Sequence, residues 1–247
     1  MVLRVFDTKD QLASAAATFI SDNLSTDAKP LLCAASGDTP SGTYKKIIEY
    51  NGEGKFSIDN CSMLSLDEWT GLIIDDPGSC GYSIKEQLTA PLDWPDTNTC
   101  FFDGRAYDLQ TECLRVERYL DEKGPITVAI LGLGLNGHIG LNEPGTDPTL
   151  RSHITSLDPS TAKTGQKYFD APQVLTGGIT LGIANLLEAK HLLLLVTGAH
   201  KREIIKRLIN SELDPLLPCT HFKAHPSFHV YIDKDAAGSS TVNSISM

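Results

Sequence analysis

The chain is 247 residues long, 41% apolar and 21% charged, enough to bury a substantial core, and its length suits one large α/β domain over residues 1–247. Its 31 acidic against 21 basic side chains give a formal charge of -10, which excludes a broad basic surface for nucleic acid but leaves room for a small anion held by backbone N–H groups and one or two cations. Six cysteines without a C-x-x-C pair, no basic-then-apolar leader and no apolar run of membrane-spanning length point to reduced thiols in a cytoplasmic protein outside the membrane.

Short β-rich runs alternate with amphipathic stretches from end to end, the pattern of a mainly parallel, open, Rossmann-like sheet with helices on both faces. A first strand near Leu3–Phe6 precedes a helix that Thr8 and Gln11 cap as a box and that buries Leu12, Ala15, Ala16, Phe19 and Ile20. A second strand, Leu31–Ala35, runs into Ser36-Gly37-Asp38-Thr39-Pro40, where the sequence predicts Thr39 as cap and Pro40 in the first helical turn. Further strands are predicted over Cys61–Leu66, Thr127–Leu133 and His191–Val196. A helix burying Leu109, Cys113, Val116 and Leu120 ends at Gly124-Pro125. The small, polar tail from Ala236 to Met247 is expected to be loosely ordered.

Ligands in open α/β sheets bind beyond the carboxyl ends of the strands, so three post-strand segments draw attention. In Ser36-Gly37-Asp38-Thr39, Gly37 permits close backbone approach and the hydroxyls and helix N–H groups suit a phosphate, although turn and cap roles explain the same residues and Asp38 must point away from an anion. Asp67 and Glu68 follow the third strand, where one offers a general base and the bland alternative is a helix cap plus a solvated acid. The third segment, Gly134-Leu135-Asn136-Gly137-His138-Ile139-Gly140-Leu141-Asn142-Glu143-Pro144-Gly145, resembles no ordinary turn. His138 exchanges protons near neutrality, and Glu143 is placed to orient or assist it, although five positions of separation do not establish contact. The glycine spacing is not that of a dinucleotide site.

These segments, together with Thr180-Leu181-Gly182, Leu187, Ala189 and the run Leu195-Val196-Thr197-Gly198-Ala199-His200-Lys201, resemble the glucosamine-6-phosphate and galactosamine-6-phosphate deaminase/isomerase family over nearly the whole chain. That family is similar in fold to the 6-phosphogluconolactonases, from which Asn142-Glu143-Pro144-Gly145 separates this chain. The resemblance implies that Asp67 moves a proton between C2 and C1 of a sugar phosphate, that His138 opens the pyranose ring, and that Glu143 supports it. It assigns phosphate binding to Ser36, Gly37 and Thr39, with Lys167 and Lys201 as cations, and implies neither a metal nor an organic cofactor. Lys167 stands where relatives carry Arg, and Asn136 where many carry Asp, so Asn136 keeps an orienting role without the charge. His153 and Thr155 occupy positions that are basic in allosterically activated relatives, which argues against such activation here.

Two other readings compete: a 6-phosphogluconolactonase, and a non-catalytic sugar-phosphate sensor. Gly140–Pro144 and Leu192–Gly198 look closer to the galactosamine-type isomerases, which makes the C4 epimer of the substrate an open expectation leaning that way. Relatives range from monomers to hexamers, so a homo-oligomer stays among the expected states. His221, His225 and His229 have helix-face spacing for a metal, but Pro226 interrupts the helix that this requires. Lys201-Arg202 and Lys206-Arg207, interleaved with Ile204, Ile205, Leu208 and Ile209, read as the exposed face of an amphipathic helix with a functional role left only for Lys201.

Overall fold

The computed structural model describes residues 1–238. Strand β1 (Val2–Phe6) leads into α1 (Lys9–Ser25), where the Thr8 hydroxyl accepts the Gln11 N–H. The return bond of the box is displaced by one residue, because Gln11 Oε1 accepts from Asp7 N–H at 3.0 Å. Then come β2 (Leu31–Ala34), α2 (Asp38–Gly52), β3 (Ser62–Ser65), a short β4 (Asp67–Trp69) and α3 (Cys80–Ile84). They are followed by β5 (Thr99–Cys100), α4 (Leu109–Lys123), β6 (Val128–Gly132), β7 (His153–Ser156), α5 (Pro159–Gly165) and β8 (Gly177–Thr180). The series closes with α6 (Ile183–Leu187), β9 (His191–Val196), α7 (Arg202–Asn210) and β10 (Phe228–Asp233).

Seven strands form one parallel sheet in the order β1-β10-β9-β6-β2-β3-β5. Its central strands are apolar runs buried on both faces, and the two-residue period sends alternate side chains to opposite layers. Leu31, Cys33, Ala129, Leu131, Leu192 and Leu194 pack with α4, α6 and α7 on one side. Leu32, Ala34, Val128, Ile130, Leu193 and Leu195 pack with α1 and α2 on the other. From β2 the chain steps outward to β3 and β5, and from β6 it steps the other way to β9 and β10. The carboxyl ends of β2 and β6 therefore flank a topological switch point, the crevice that such sheets offer to ligands.

A second sheet is antiparallel, ordered β4-β8-β7, with Asp67 opposite Thr180 and Thr180 opposite His153. It covers a small cluster of Trp69, Leu72, Cys80, Leu141 and Leu175. Neither the strands of this sheet nor β10 are predicted from the sequence.

Two local expectations are corrected. Helix α2 starts at Asp38 with Gly37 as its cap, so Thr39 is not the cap and Pro40 lies deeper in the first turn. Ala236 and Ala237 are 0% and 3% exposed within a helical stretch at 234–238 and belong to the main core, so the expected loose tail does not begin at Ala236. The rest of that expectation, residues 239–247, lies outside the described residues.

All six cysteines are buried and unpaired, as reduced thiols require. In α7, Ile204, Ile205 and Leu208 are buried, while Arg202, Lys206 and Arg207 face outward, as an amphipathic helix requires. Among the described residues, no helix is long and apolar enough to cross a membrane.

Candidate active site

Beyond β2, Gly37 adopts φ 100°, the left-handed region that favours glycine, and a Cβ there would lie 3.0 Å from Tyr168 Oη. Ser36, Gly37 and Thr39 line a cavity of about 310 Å³ at the switch point, with the unpaired N–H groups of the α2 amino terminus beside them. Two cations face the same wall. Lys201, just after the turn at Gly198, donates from Nζ to Leu133 O, and burial, reinforced by Lys167, pulls its pKa down to about 8. Lys167 pairs with Asp38 at 2.6 Å and lies over the Tyr168 ring. Burial works to lower its pKa, but the Asp38 hydrogen bond prevails and leaves it raised. The Asp38 carboxylate, expected to point away from an anion, lines the same cavity and is neutralised there by its pairing with Lys167. Lys9 and His200 also line the cavity, and burial followed by the nearby lysines depresses the pKa of His200.

Into the same cavity β4 presents Asp67, 8% exposed. Burial pushes its carboxyl up to about 6, against the pull of the Cys80 side chain and the charge of His138. Glu68 is not the solvated acid of the bland reading, because it is 1% exposed. Its carboxylate accepts the N–H groups of Trp69, Cys80 and Gly81 at 2.8, 2.9 and 2.7 Å, tying β4 to the start of α3. Burial raises Glu68 to about 7 despite those three donors.

The loop after β6 carries His138, whose ring lies so close to Gly134 that a Cβ there would fall 2.4 Å from its Nδ1. The contact left open by sequence spacing is present: His138 Nδ1 lies 3.5 Å from Glu143 Oε2. Asn136 joins the two, accepting the His138 backbone N–H at 3.1 Å and donating to Glu143 Oε2 at 2.8 Å. Burial works to raise the Glu143 carboxyl, but His138, Thr161 and Asn136 bind its charged form and hold it below the usual carboxylate range. Asn136 and Glu143 stand behind His138 rather than on the cavity wall.

The fold therefore brings Ser36, Gly37, Thr39, Asp67, His138, Lys167 and Lys201 into one cavity, with Asn136 and Glu143 directly behind His138. It adds Thr161, Cys80, Tyr168 and Lys9, for which the sequence carries no spacing signal because they come from segments distant in sequence from the post-strand loops, and His200, quoted above only as part of a run and given no role there. The three histidines with metal-like spacing diverge. His225 is buried with Nε2 on Ala189 O at 2.9 Å, and His229 lies in β10. Among the described residues, no group of three or more His, Cys, Asp or Glu is arranged to hold a metal.

Proton-transfer groups and cations sharing one cavity at the switch point of a parallel sheet define a class of α/β protein built for chemistry on a small anionic molecule. The comparisons specify the family. The sequence profile of the glucosamine-6-phosphate isomerases/6-phosphogluconolactonases matches residues 7–230, and the chain belongs to that family. It is 32% identical to the glucosamine-6-phosphate deaminase 1 of Bacillus subtilis (strain 168), over 93% of this chain and 96% of that protein. It is 35% identical to the glucosamine-6-phosphate deaminase of Clostridium tetani, over 96% and 99%. The solved structure of a monomeric glucosamine-6-phosphate deaminase superposes with a TM-score of 0.93 at 32% identity, covering 98% of this chain and 100% of that one. A 6-phosphogluconolactonase from Thermotoga maritima shares the fold, with a TM-score of 0.75 at 20% identity over 94% and 98%.

Proposed function

We propose that this chain converts a hexosamine 6-phosphate into a ketose 6-phosphate and ammonia, with glucosamine 6-phosphate as substrate and fructose 6-phosphate as product. The observation that carries the reading is the buried Asp67, its carboxyl raised to about 6, sharing one cavity with an imidazole backed by a carboxylate. The names borne by the relatives favour the glucosamine epimer over the galactosamine epimer toward which Gly140–Pro144 and Leu192–Gly198 lean.

In this reading, the phosphate sits against Ser36, Gly37 and Thr39 with Lys201 and Lys167, and its remote binding energy holds C1 and C2 beside Asp67. His138 takes the proton of the C1 hydroxyl, the C1–O5 bond breaks as the C1 carbonyl forms, and the proton passes to O5. The new aldehyde acidifies the C2 hydrogen, which Asp67 removes as the C1 oxygen takes a proton from solvent, giving an enolamine. Return of a proton to C1 leaves an iminium at C2. Water adds there, and ammonia departs with the C2–N bond. A base with a pKa near 6 is stronger than an ordinary carboxylate yet mostly ionised at neutral pH.

Ammonia release from glucosamine 6-phosphate and galactosamine 6-phosphate, with hydrolysis of 6-phosphogluconolactone followed in parallel, tests the reading. Ammonia is expected from the glucosamine epimer faster than from the other, and Asp67→Asn is expected to abolish exchange of the C2 hydrogen with deuterated solvent while the sugar phosphate still binds. Ammonia from neither epimer removes the deaminase reading; ester cleavage then points to the lactonase, and no turnover to the sensor.

A further inference from the structure

We propose that Thr161 is a positioning residue for His138, bridging its Nδ1 to the Glu143 carboxylate so that an unprotonated Nε2 is presented to the sugar. The inference rests on the deaminase reading above. Thr161 lies in α5, only 5% exposed, with its Oγ1 3.1 Å from His138 Nδ1. The direct approach of Nδ1 to Glu143 is 3.5 Å, at the limit of a useful hydrogen bond, whereas the Thr161 hydroxyl lies nearer to Nδ1 and also hydrogen-bonds the Glu143 carboxylate.

The direction of that path follows from what each group can donate. Glu143 is held as a carboxylate and only accepts: Asn136 donates to its Oε2 and the Asp158 N–H to its Oε1. A hydroxyl has one proton to give. If Thr161 gave it to Nδ1, the lone pair of Nδ1 would face the Glu143 carboxylate and Thr161 would offer Glu143 no proton. If Thr161 gives it to Glu143, Nδ1–H donates to Thr161 Oγ1, and every group in the chain of contacts is satisfied. The second arrangement places the ring proton on Nδ1. Nε2 makes no hydrogen bond to the described residues and is free to accept the C1 hydroxyl proton.

Thr161 carries added weight because Asn136 beside His138 supplies no negative charge, so the carboxylate facing Nδ1 is that of Glu143, and the Thr161 hydroxyl hydrogen-bonds both. Gly134 presses on the ring face and limits its tilt, but a flat contact does not choose which nitrogen is protonated. The hydroxyl does.

The test is Thr161→Val, which keeps the shape and removes the hydroxyl, beside Thr161→Ser, which restores it. Steady-state ammonia release is read together with ¹⁵N spectra of the histidine rings, the His138 signals being assigned with His138→Gln. In Thr161→Val, kcat is expected to fall about 10-fold, as for loss of an outer-shell orienting partner, with KM within about twofold. The His138 spectrum is expected to lose its Nδ1–H preference, and Thr161→Ser to keep both properties near those of the parent. A thermal melt checks folding, and Thr161→Ala, which only removes atoms, substitutes for Val if the valine is not accommodated. Parental kcat without the hydroxyl, or a fall in kcat with the Nδ1–H form intact, overturns the proposal. Failure of the deaminase reading shows itself separately, as no ammonia from the unsubstituted chain.

Discussion

Asp67 is held where its charge is costly. Moving a carboxyl from an ordinary 3.8 to about 6 by burial costs on the order of 2–3 kcal/mol of folding stability once the group is ionised. The sign follows from proton binding: the folded state holds the proton to higher pH than the unfolded chain does, so the penalty is absent below the unfolded value and complete above about 6. Asp67→Asn is therefore expected to melt higher than the parent at pH 8, to lose that advantage near pH 4, and to be inactive throughout. In the parent, kcat should fall as pH drops through about 6. Equal melting temperatures for the two proteins at pH 8 would mean that the buried charge is compensated and is no reserve for catalysis. Asp67 and His138 are legible in the sequence because they sit just past apolar strands, in segments rich in acids or glycines. Thr161 is not, because it lies in an ordinary helical turn and acquires its role only when α5 folds back over the loop after β6.

Helix α3 continues directly into a π-helical turn at Lys85–Thr89, and even this combined stretch is too short to form by itself and depends on its anchors. Ser79 Oγ accepts the Tyr82 N–H at 2.9 Å, and Glu68 takes the N–H groups of Cys80 and Gly81 while also bonding that of Trp69. Through these bonds α3 places Cys80 against Asp67. In Glu68→Gln, one carboxylate oxygen becomes an NH₂ that faces donors, leaving at least one buried N–H without an acceptor. A loss of about 1–3 kcal/mol is expected in urea unfolding, together with a drop in activity. An unchanged midpoint would show that water or a backbone shift replaces the carboxylate. The same scale explains which elements escape the sequence. The strands of the parallel sheet announce themselves as apolar runs, whereas β4 has three residues and begins with two acids, and β8 begins with Gly177-Gly178, so neither shows a period of two. In β10, Phe228, Val230 and Ile232 do alternate toward the core, but the histidines and Pro226 before them draw the eye to a helix-face pattern instead.

The two ends of the sheet carry different titrating groups, which gives the whole molecule opposing responses to acid. At the carboxyl end, Asp67 and Glu68, raised to about 6 and 7, favour the folded state as pH falls toward 4. Toward the other end, His191 opens β9 and His229 lies in β10; they share the Ser227 hydroxyl at 2.7 and 3.1 Å, and Phe19 packs against both rings. Burial lowers the pKa of each, helped by His225 and Lys190 at His191 and by His191, the chain's amino terminus and Arg4 at His229. The folded state therefore resists protonation that the unfolded chain accepts near 6.5, so the stability these rings contribute is complete above that value and is lost as pH falls below it. Because the carboxyls pull the other way, the parent's melting curve alone does not isolate the histidines; a difference between proteins does. His191→Gln with His229→Gln should therefore lose less stability than the parent between pH 7 and pH 5, whatever its absolute melting point. Parallel pH profiles for the two proteins would assign acid lability elsewhere, since no other change separates them.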